Sequence, residues 1–377
     1  MTANHGGRVF EAVRRWGGEP KEWLDFSANI NPLGLNPLVA QAIHKEINQL
    51  IHYPDNGGLL KSLLAREHGV EPEQIILTNG AAEALFVAIN GMCPQSALLL
   101  EPTFSEYRRA LAARKVPTRH IILDTAGGFQ LPWREVKGNW SQGMLLVVCN
   151  PNNPTGVLAG LEELRQQAEL AREHEGWLLV DESFQDFLDA PPTMMPLLNA
   201  RALVVRSLTK FFALPGLRLG YIVASRETAA FLAGQVPGWN VNALALVAGA
   251  VALQQREYIE ETREMMAEAR AKLYRDLASL EGIEVYPPTT NFILFRLEGY
   301  RDLPEFLAGR RILIRNCSDF HGLGKDWYRC AVRAPAENDK LVEAIKMYWG
   351  EKDKDDGIFG ATRTNGLELS GPLSGSD

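Results

Sequence analysis

Residues 202–225, ALVVRSLTKFFALPGLRLGYIVAS, hold two short apolar runs on either side of a lysine. The runs ALVVRSL and RLGYIVAS are nearly continuous in apolar residues, which is typical of strands buried on both faces of a sheet. Lys210 lies between them, and Arg218 follows eight residues later. Lysine is rarely buried without a partner. Its stem could cover apolar neighbours at the surface, or its amine could be a reactive group beside an anion site.

Runs of the same kind precede this segment from about residue 75 onward, with helical patterns between them. They are QIILTNG, SALLLEP, RHIIL, GMLLVVCNP and GWLLVDES. Strands that alternate with helices predict an α/β fold, in which a mostly parallel, doubly wound sheet carries helices on both faces. Residues 242–280 then have the pattern of one or two long helices. VYPPTTNFILFRL, ILIRNCS and WYRCAVR predict strands of a smaller α+β unit.

These patterns divide the chain into four parts. Residues 1–34 are predicted to form an N-terminal arm that belongs to the small domain and to the active site. Residues 35–240 are predicted to form the large domain, and residues 241–349 the small C-terminal domain. The remainder, 350–377, is charged and then rich in glycine and serine, which predicts a disordered tail.

The composition argues against several classes of protein. A formal net charge of −7 disfavours a nucleic-acid-binding surface. The four cysteines are scattered without metal-ligand or disulfide spacing, so no metal site is predicted and a reducing compartment is favoured. The N-terminus has no signal-peptide core, and no apolar run reaches membrane-spanning length. We therefore expect a cytoplasmic protein with neither a nucleic-acid nor a membrane partner.

The polar residues that end the predicted strands are candidates for a binding site, because ligands of open α/β sheets bind beyond the carboxyl ends of the strands. Asp181 ends WLLVD and needs a cationic partner or strong donors there. Arg218 could hold a phosphate together with the hydroxyls of Ser207 and Thr209, since arginine matches phosphate oxygens in a bidentate fork. Gly80 stands where a helix begins, and the free N–H groups of that helix also favour an anion.

A carboxylate, an amine, a phosphate cradle and a flat aromatic ring, Phe104, together match one ligand. Pyridoxal phosphate has a ring nitrogen for Asp181, an aldehyde for the Lys210 amine and a phosphate for the cradle. Each feature alone has an ordinary alternative: Asp181 as a helix cap or turn residue, NNPTG as a turn, and Phe104 as a core residue. The order of these features at successive strand ends favours the cofactor.

The order NNPTG, VDESF and SLTKFFALPGLRLGY resembles that of fold-type I pyridoxal-phosphate enzymes of the aspartate aminotransferase superfamily, over residues 5–348. The resemblance implies a homodimer whose active sites lie at the subunit interface. It also implies that Lys210 bonds covalently to the cofactor and that Asp181 partners the ring nitrogen. The other implied roles are Asn153 at the ring hydroxyl, Ser207 and Arg218 at the phosphate, Tyr53 at the phosphate of the other subunit, and Arg329 at the substrate α-carboxylate.

Two positions depart from the superfamily pattern. Phe184 stands where a tyrosine often donates to the ring hydroxyl, so Asn153 would act there with less help. Ala81 and Ala82 stand where a hydroxyl is often available, so backbone N–H groups alone would bind the phosphate at that point.

Within the superfamily, DFSANINPLG resembles the branch that holds histidinol-phosphate aminotransferases and L-threonine-O-3-phosphate decarboxylases. HGGRVFEAVRRWG, RCAVRAPAEN and Phe184 are similar to the decarboxylases of this branch. Ile30 stands where the aminotransferases usually have glutamate. We therefore expect decarboxylation of L-threonine O-3-phosphate to (R)-1-amino-2-propanol O-2-phosphate for cobalamin biosynthesis, with L-serine O-phosphate as a further candidate substrate.

The predicted substrate contacts are His5, Asn31, Asn153, Arg315, Arg329 and Arg333. After CO₂ leaves, Lys210 would return a proton to Cα, with an amine pKa lowered by desolvation and neighbouring cations. Ordinary alternatives exist here too. His5 could be solvated, and Arg315 or Arg333 could pair with surface carboxylates.

Two other functions remain open from the sequence. A histidinol-phosphate-type aminotransferase would need a keto-acid partner, whereas a decarboxylase would not. A pyridoxal-phosphate-binding protein without catalysis is the alternative from another class. The sequence has no G-x-G-x-x-G, H-E-x-x-H or G-x-S-x-G motif, which disfavours nicotinamide dehydrogenases, zinc peptidases and serine hydrolases.

Overall fold

The computed structural model describes residues 5–189, 192–299 and 302–363. Its helices are α1 (Val9–Trp16), α2 (Pro37–Glu46), α3 (Gly58–His68), α4 (Ala81–Met92), α5 (Glu106–Ala113), α6 (Trp133–Asn139), α7 (Leu161–Glu173), α8 (Arg226–Ala233), α9 (Ala243–Ala252), α10 (Arg256–Ala278), α11 (Leu303–Ala308) and α12 (Pro335–Arg363). Its strands are β1 (Leu24–Asp25), β2 (Ile75–Thr78), β3 (Ser96–Glu101), β4 (Thr118–Ile122), β5 (Met144–Cys149), β6 (Trp177–Asp181), β7 (Ala202–Ser207), β8 (Gly220–Ala224), β9 (Ile283–Val285), β10 (Phe292–Leu297), β11 (Ile312–Leu313), β12 (Arg315–Asn316) and β13 (Trp327–Ala331). No helix in these ranges has both the length and the apolar character needed to span a membrane.

A seven-stranded sheet forms the centre of the larger part of the molecule, in the order β2-β8-β7-β6-β5-β3-β4. Strands β3 to β7 are parallel, and β8 runs antiparallel to both of its neighbours, β2 and β7. All seven apolar runs found in this part of the sequence form strands of this sheet. The predicted α/β fold with a mostly parallel sheet is confirmed.

Helices cover both faces of this sheet, which explains why its strands are apolar throughout. In β5, Val148 belongs to one hydrophobic cluster and Val147 to another, because successive side chains point to opposite faces. Helix α7 contributes Leu164 to the first cluster, and α4 contributes Leu85 to the second.

A four-stranded antiparallel sheet, β12-β13-β10-β9, forms the centre of the smaller part, and α10 packs against it. The N-terminal arm is joined to this part by hydrogen bonds. Strand β1 pairs in parallel with β11. The backbone N–H of Ala331 in β13 donates to the carbonyl of Phe26 at 2.8 Å. Residues 1–4 of the predicted arm lie outside the described residues.

Helices α9 and α12 lie at the two predicted bounds of the small domain. Helix α9 falls in the range 241–349 assigned to the small domain, yet it packs against α2 and α3 of the larger part. We therefore propose that the division falls after α9, between residues 252 and 256. Helix α12 continues past residue 350 to Arg363, so the segment 350–363 of the predicted tail is helical, and residues 364–377 lie outside the described residues.

Candidate active site

The ends of β5, β6 and β7 bring the central candidate residues together. Asp181, the last residue of β6, is in register with Cys149, the last residue of β5, and Asn153 follows in the next loop. Lys210 comes from the loop after β7. Its amine lies 4.7 Å from the centre of the Phe184 ring. The parallel sheet thus places a carboxylate, an amide and an amine at one edge, as the sequence predicted.

The surroundings of Lys210 lower the pKa of its amine. Burial contributes most, and the positive charges of Arg218 and Arg329 add to the effect, whereas Asp181 and Cys149 oppose it. Both causes disfavour the charged form of the amine. The lowered pKa predicted from the sequence is confirmed.

The carboxylate of Asp181 is buried and held by two donors. The hydroxyl of Tyr107 donates to Oδ2 at 2.8 Å, and the backbone N–H of Ser183 donates to Oδ1 at 2.9 Å. Burial raises the pKa of Tyr107 well above its ordinary value, so the hydroxyl remains a donor. These hydrogen bonds fix the orientation of the carboxylate at the end of β6.

Sequence reasoning missed Tyr107. Its signal was its position three residues after Phe104 in PTFSEY, at the start of α5. An isolated tyrosine on a helix is usually a core residue, so the pattern gave no reason to connect it with Asp181.

An anion cradle surrounds the beginning of α4. This helix begins without a side-chain cap, so the N–H groups of its first turn are open to a ligand. Gly80 has φ of +85°, and a Cβ there would lie 2.5 Å from Nη2 of Arg218. Glycine therefore allows the guanidinium to approach. The hydroxyls of Ser207 and Thr209 lie 2.8 Å apart and are buried.

Gly220, the first residue of β8, packs closely against the same cradle. A Cβ at Gly220 would lie 2.5 Å from the backbone nitrogen of Ala81 and 2.7 Å from the carbonyl carbon of Gly80. The start of β8 therefore fits under the first turn of α4, which contains Ala81 and Ala82, only because residue 220 has no side chain.

Arg329 lies buried beside Asn153. It donates to Oδ1 of Asn153 at 2.5 Å and to the carbonyl of Ser27 at 2.8 Å. Its Nε is buried without a hydrogen-bond partner among the described residues. Burial lowers the pKa of Arg329 to about 10, and the charge of Arg315 acts in the same direction. A buried donor without a partner is costly, so this group is suited to an anionic ligand.

Arg315 on β12 stands directly opposite Arg329 on β13. It is buried and donates to both oxygens of Asp319, at 2.7 and 2.8 Å. Within the described ranges, Arg329 has no carboxylate partner of its own. Among the described residues, the carboxylate of Asp319 therefore pairs with only one of the two guanidinium groups.

His5 reaches the aromatic face of the cleft. Its ring centre lies 5.6 Å from that of Phe104, and its Nε2 lies 2.7 Å from Oε1 of Glu106. A Cβ at Gly6 would lie 1.9 Å from the carbonyl oxygen of Ser27, so the arm passes this point because residue 6 is glycine. His5 is therefore held against the protein rather than solvated.

Asn31 is held by protein groups, and its predicted substrate contact stays a prediction. Its buried side-chain nitrogen lies 2.8–3.0 Å from the Phe211 carbonyl, the Tyr258 hydroxyl and the Thr262 hydroxyl. Its backbone N–H donates to the carbonyl of Lys210 at 3.0 Å. The side-chain amide nitrogen has protein hydrogen-bond partners. Through these contacts and its backbone N–H, Asn31 positions the loop that carries Lys210.

Arg333 is likewise occupied by protein groups. It donates to both carboxylate oxygens of Glu337 at 3.0 Å and to the carbonyl of Asp25 at 3.3 Å. These bonds tie the arm to α12, which is the alternative that the sequence analysis left open. The predicted substrate contact of Arg333 stays a prediction.

Asn29 is a second residue that sequence reasoning missed. Its Oδ1 is buried and has no hydrogen-bond partner in the described part of the chain. It lies in the arm segment SANIN, two residues after Ser27, whose carbonyl binds Arg329. The two asparagines of this segment look alike in sequence, and only the fold shows which of them keeps a free acceptor.

Tyr53 lies on the outer surface. Its side chain is 78% exposed and stacks on Trp239 with ring centres 4.4 Å apart. Together with Asn79 these residues line a cavity of about 750 Å³. A single chain does not test the predicted contact of Tyr53 with the other subunit's cofactor.

Comparison with known proteins agrees with this geometry. The family model described as aminotransferase class I and II matches residues 21–345. The chain belongs to this family. It is 39% identical to the threonine-phosphate decarboxylase of Salmonella typhimurium over 92% of this chain and 96% of that protein. It is 34% identical to the adenosylcobalamin biosynthesis bifunctional protein CobDQ of Leptospira interrogans, over 93% of this chain but 42% of that longer protein.

The fold also matches solved structures. The histidinol-phosphate aminotransferase of Clostridium acetobutylicum aligns with a TM-score of 0.82 and 29% identity, over 87% of this chain and 99% of that one. The family is pyridoxal-phosphate-dependent, and pyridoxal 5′-phosphate is the cofactor of this chain. The residues present fit it: the uncapped start of α4 lies beside Arg218, and the carboxylate of Asp181 lies near the amine of Lys210.

Proposed function

We propose that this chain decarboxylates L-threonine O-3-phosphate to (R)-1-amino-2-propanol O-2-phosphate in cobalamin biosynthesis. The observation that carries the proposal is the pair of buried arginines, Arg315 and Arg329, in directly opposite positions on β12 and β13. Like charges in such positions are destabilising. One carboxylate, that of Asp319, offsets only part of this charge. A substrate with two anions, a carboxylate and a phosphate, would offset the rest.

Each arginine is suited to one of the two anions. The unpartnered Nε of Arg329 lies in the guanidinium that also holds Asn153, so we assign it the α-carboxylate. Arg315 contacts Asp319 through a single nitrogen, Nη2. Arginine can bind a phosphate through two nitrogens in a bidentate fork. We assign Arg315 the substrate phosphate, with His5 as a further polar contact.

Pyridoxal phosphate, when bound, supplies an electron-poor ring that accepts negative charge from the substrate Cα. Asp181, held by Tyr107 and Ser183, would partner the ring nitrogen. Anchoring of the two substrate anions by Arg329 and Arg315 would fix the orientation of the substrate and so decide which bond at Cα breaks. In this proposal it is the bond to the carboxylate. Nζ of Lys210 then returns a proton to Cα.

A histidinol-phosphate-type aminotransferase is the second candidate, supported by the structural match to the Clostridium enzyme. Two features favour the decarboxylase instead. Sequence identity to the Salmonella protein, 39%, is higher than the 31% to the histidinol-phosphate aminotransferase of Moorella thermoacetica. In addition, Phe184 places an apolar ring 4.7 Å from the Lys210 amine, where a hydroxyl is common in aminotransferases.

The deciding experiment is incubation of the cofactor-loaded chain with O-phospho-L-threonine in the absence of any keto acid. We expect release of CO₂ and formation of the amino-alcohol phosphate in equal amounts. A strict requirement for 2-oxoglutarate would instead show an aminotransferase. Absence of turnover with and without the keto acid would show a cofactor-binding protein without catalysis.

The same assay with L-serine O-phosphate measures the pocket's preference for the substrate methyl group. An apolar pocket separates substrates that differ by one methyl by about 1–3 kcal/mol, or roughly 10–200-fold in kcat/KM. We expect the threonine derivative to be preferred within this range.

We also propose that the chain forms a homodimer with shared active sites. Leu50, Ile51, Tyr53 and Trp239 are large apolar residues that are exposed and line one cavity. A contiguous exposed apolar surface of this kind usually marks an interface between proteins. Asn79, next to Gly80 of the anion cradle, lines the same cavity, so a partner on this surface would lie near the phosphate site.

A further inference from the structure

Three potential metal ligands from distant parts of the chain meet outside the cleft. They are Glu101 at the end of β3, His120 in β4 and His321 in the loop after β12. One ligand atom of each lies within 4.8 Å of those of the other two. No local spacing in the sequence connects these residues, so the sequence analysis predicted no metal site.

The geometry of Glu101 and His120 is that of two ligands of one ion. Leu99 of β3 is in register with His120, so Glu101, two residues on, lies on the same face of the sheet. Nδ1 of His120 lies 3.3 Å from Oε1 of Glu101, yet this buried nitrogen forms no hydrogen bond within the described residues. Ligands held at 2.0–2.2 Å by a tetrahedral zinc ion lie about 3.3–3.5 Å apart.

The carboxylate of Glu101 is fixed in place. The residue is fully buried, and its Oε2 accepts from the backbone N–H of Thr103 at 2.9 Å. Arg108 donates to Oε1 at 3.0 Å and to the carbonyl of Asp319 at 3.1 Å. Ligating carboxylates in metal sites are commonly oriented by such outer hydrogen bonds. The positive charge of Arg108 also weakens binding of a cation, so we expect modest affinity.

His321 completes the set from the small part of the molecule. It is exposed, and its ring meets that of His120 edge to face with centres 4.9 Å apart. The next residue, Gly322, lies against β4, since a Cβ there would be 3.0 Å from a methyl of Ile122. The loop is therefore held at the edge of the large sheet, and a small rotation of an exposed ring suffices to aim its nitrogen.

We propose that Glu101, His120 and His321 bind one Zn²⁺ ion that links β3 and β4 of the large sheet to the loop after β12. Two imidazoles and one carboxylate are a frequent protein ligand set for zinc, with a fourth position left for water. The same loop carries Asp319, the partner of Arg315. The ion would thus fasten this loop to the large sheet.

The test uses the full-length, untagged, cofactor-loaded chain titrated with Zn²⁺ against a chromophoric chelator. We expect one ion per chain, bound at least about tenfold more weakly after His321→Ala or His120→Gln. Binding stabilises the folded state, so zinc should raise the Tm of the parent chain more than that of His321→Ala. The exposed His321 is a safe position for substitution because its side chain has no hydrogen bond among the described residues.

His44→Ala is the matched control, since His44 is an exposed histidine on α2. Cys93→Ser controls for the exposed thiol, which is another zinc ligand at the surface. Both controls should bind zinc as the parent chain does. Co²⁺ provides an independent readout, because a tetrahedral nitrogen and oxygen site gives strong visible bands. Equal zinc affinity of the parent chain and His321→Ala, or loss of binding in Cys93→Ser alone, would overturn the proposal.

Discussion

Tyr107 holds the buried carboxylate of Asp181 through a hydrogen bond of 2.8 Å. Hydrogen bonds to charged groups contribute about 1.5–3 kcal/mol. In Tyr107→Phe the carboxylate keeps the Ser183 N–H but loses the hydroxyl. We expect the Kd for pyridoxal phosphate to rise about tenfold or more, measured by quenching of intrinsic fluorescence in the absence of substrate.

Tyr221→Phe is the matched control for this prediction. It also removes a buried hydroxyl, one that lies 2.6 Å from His68 rather than from Asp181. Its cofactor affinity should stay close to that of the parent chain. Equal weakening in both variants would mean that loss of any buried hydroxyl loosens the site, and Tyr107 would have no particular role in positioning Asp181.

Lys210 is the residue whose chemistry no neighbour can replace. Its amine has a lowered pKa because burial and the nearby arginines disfavour its charge. In Lys210→Ala we expect loss of the covalently held chromophore in the visible spectrum. Turnover should fall by at least about 10²–10⁴-fold, the usual contribution of one proton-transfer group. Lys61→Ala, on the surface helix α3, should keep both properties.

Single residues also show where sequence reasoning reaches its limit. Asp181 and Lys210 were predictable because an ionisable group at the end of an apolar strand needs a chemical reason. Asn29 and Asn31 were not separable, because both are asparagines in one irregular segment. Their roles differ through contacts made by distant residues: the Asn31 amide meets Tyr258 and Thr262 of α10.

At the scale of elements, the phosphate cradle depends on how closely β8 approaches α4. A Cβ at Gly220 would meet backbone atoms of Gly80 and Ala81 at 2.5–2.7 Å, and backbone cannot rotate away as a side chain can. In Gly220→Ala we expect cofactor affinity to fall at least about tenfold, with a loss of about 1–3 kcal/mol in unfolding free energy from overpacking. Equilibrium dialysis of the cofactor and urea unfolding measure the two effects.

Gly216→Ala serves as the control in the same segment. Its Cβ would meet nothing within 4 Å. Neither cofactor affinity nor stability should change appreciably. If Gly220→Ala also binds the cofactor normally, the close approach of β8 does not shape the cradle.

The helices and strands were largely predictable from the sequence, whereas the contacts between them were not. Continuous apolar runs identified the seven central strands because both faces of the sheet are covered. The periodicity of α9 gives its helix but not its neighbours, so its packing on α2 and α3 came from the structure. The Glu101, His120 and His321 cluster is of the same kind, since it joins residues from three separate segments.

For the whole molecule, His68 predicts how stability depends on pH. Burial lowers its pKa from 6.5 to about 3, and the nearby Arg206 adds to the effect. Between these values the unfolded chain binds a proton that the folded chain does not, so stability falls as the pH falls below 6.5. A pH of about 5 lies about 1.5 units below the ordinary pKa of 6.5. Proton uptake by the unfolded chain therefore lowers the free energy of unfolding by about 2 kcal/mol at this pH.

The measurement compares urea unfolding at about pH 7 and pH 5, at one fixed protein concentration. The parent chain should lose about 2 kcal/mol more than His68→Gln over this interval. His44→Gln, at an exposed position, should behave as the parent chain does. Identical pH dependence of the parent chain and His68→Gln would show that His68 takes up its proton in the folded state near its ordinary pKa.

The proposed homodimer with shared active sites predicts complementation between two variant chains. If Tyr53 completes the phosphate site of the partner, Tyr53→Ala and Lys210→Ala damage different parts of each site, and each homodimer is inactive. A mixed dimer then contains one site with both defects and one site with none.

Tyr53 is 78% exposed, so its truncation should leave the fold intact. Co-expression of the two variants should therefore restore turnover well above the sum of the separate homodimers, with the mixed dimer isolated by two different affinity tags. Restored activity follows only if the two residues that serve one active site come from different chains, because a site built within one chain would carry a defect in every subunit.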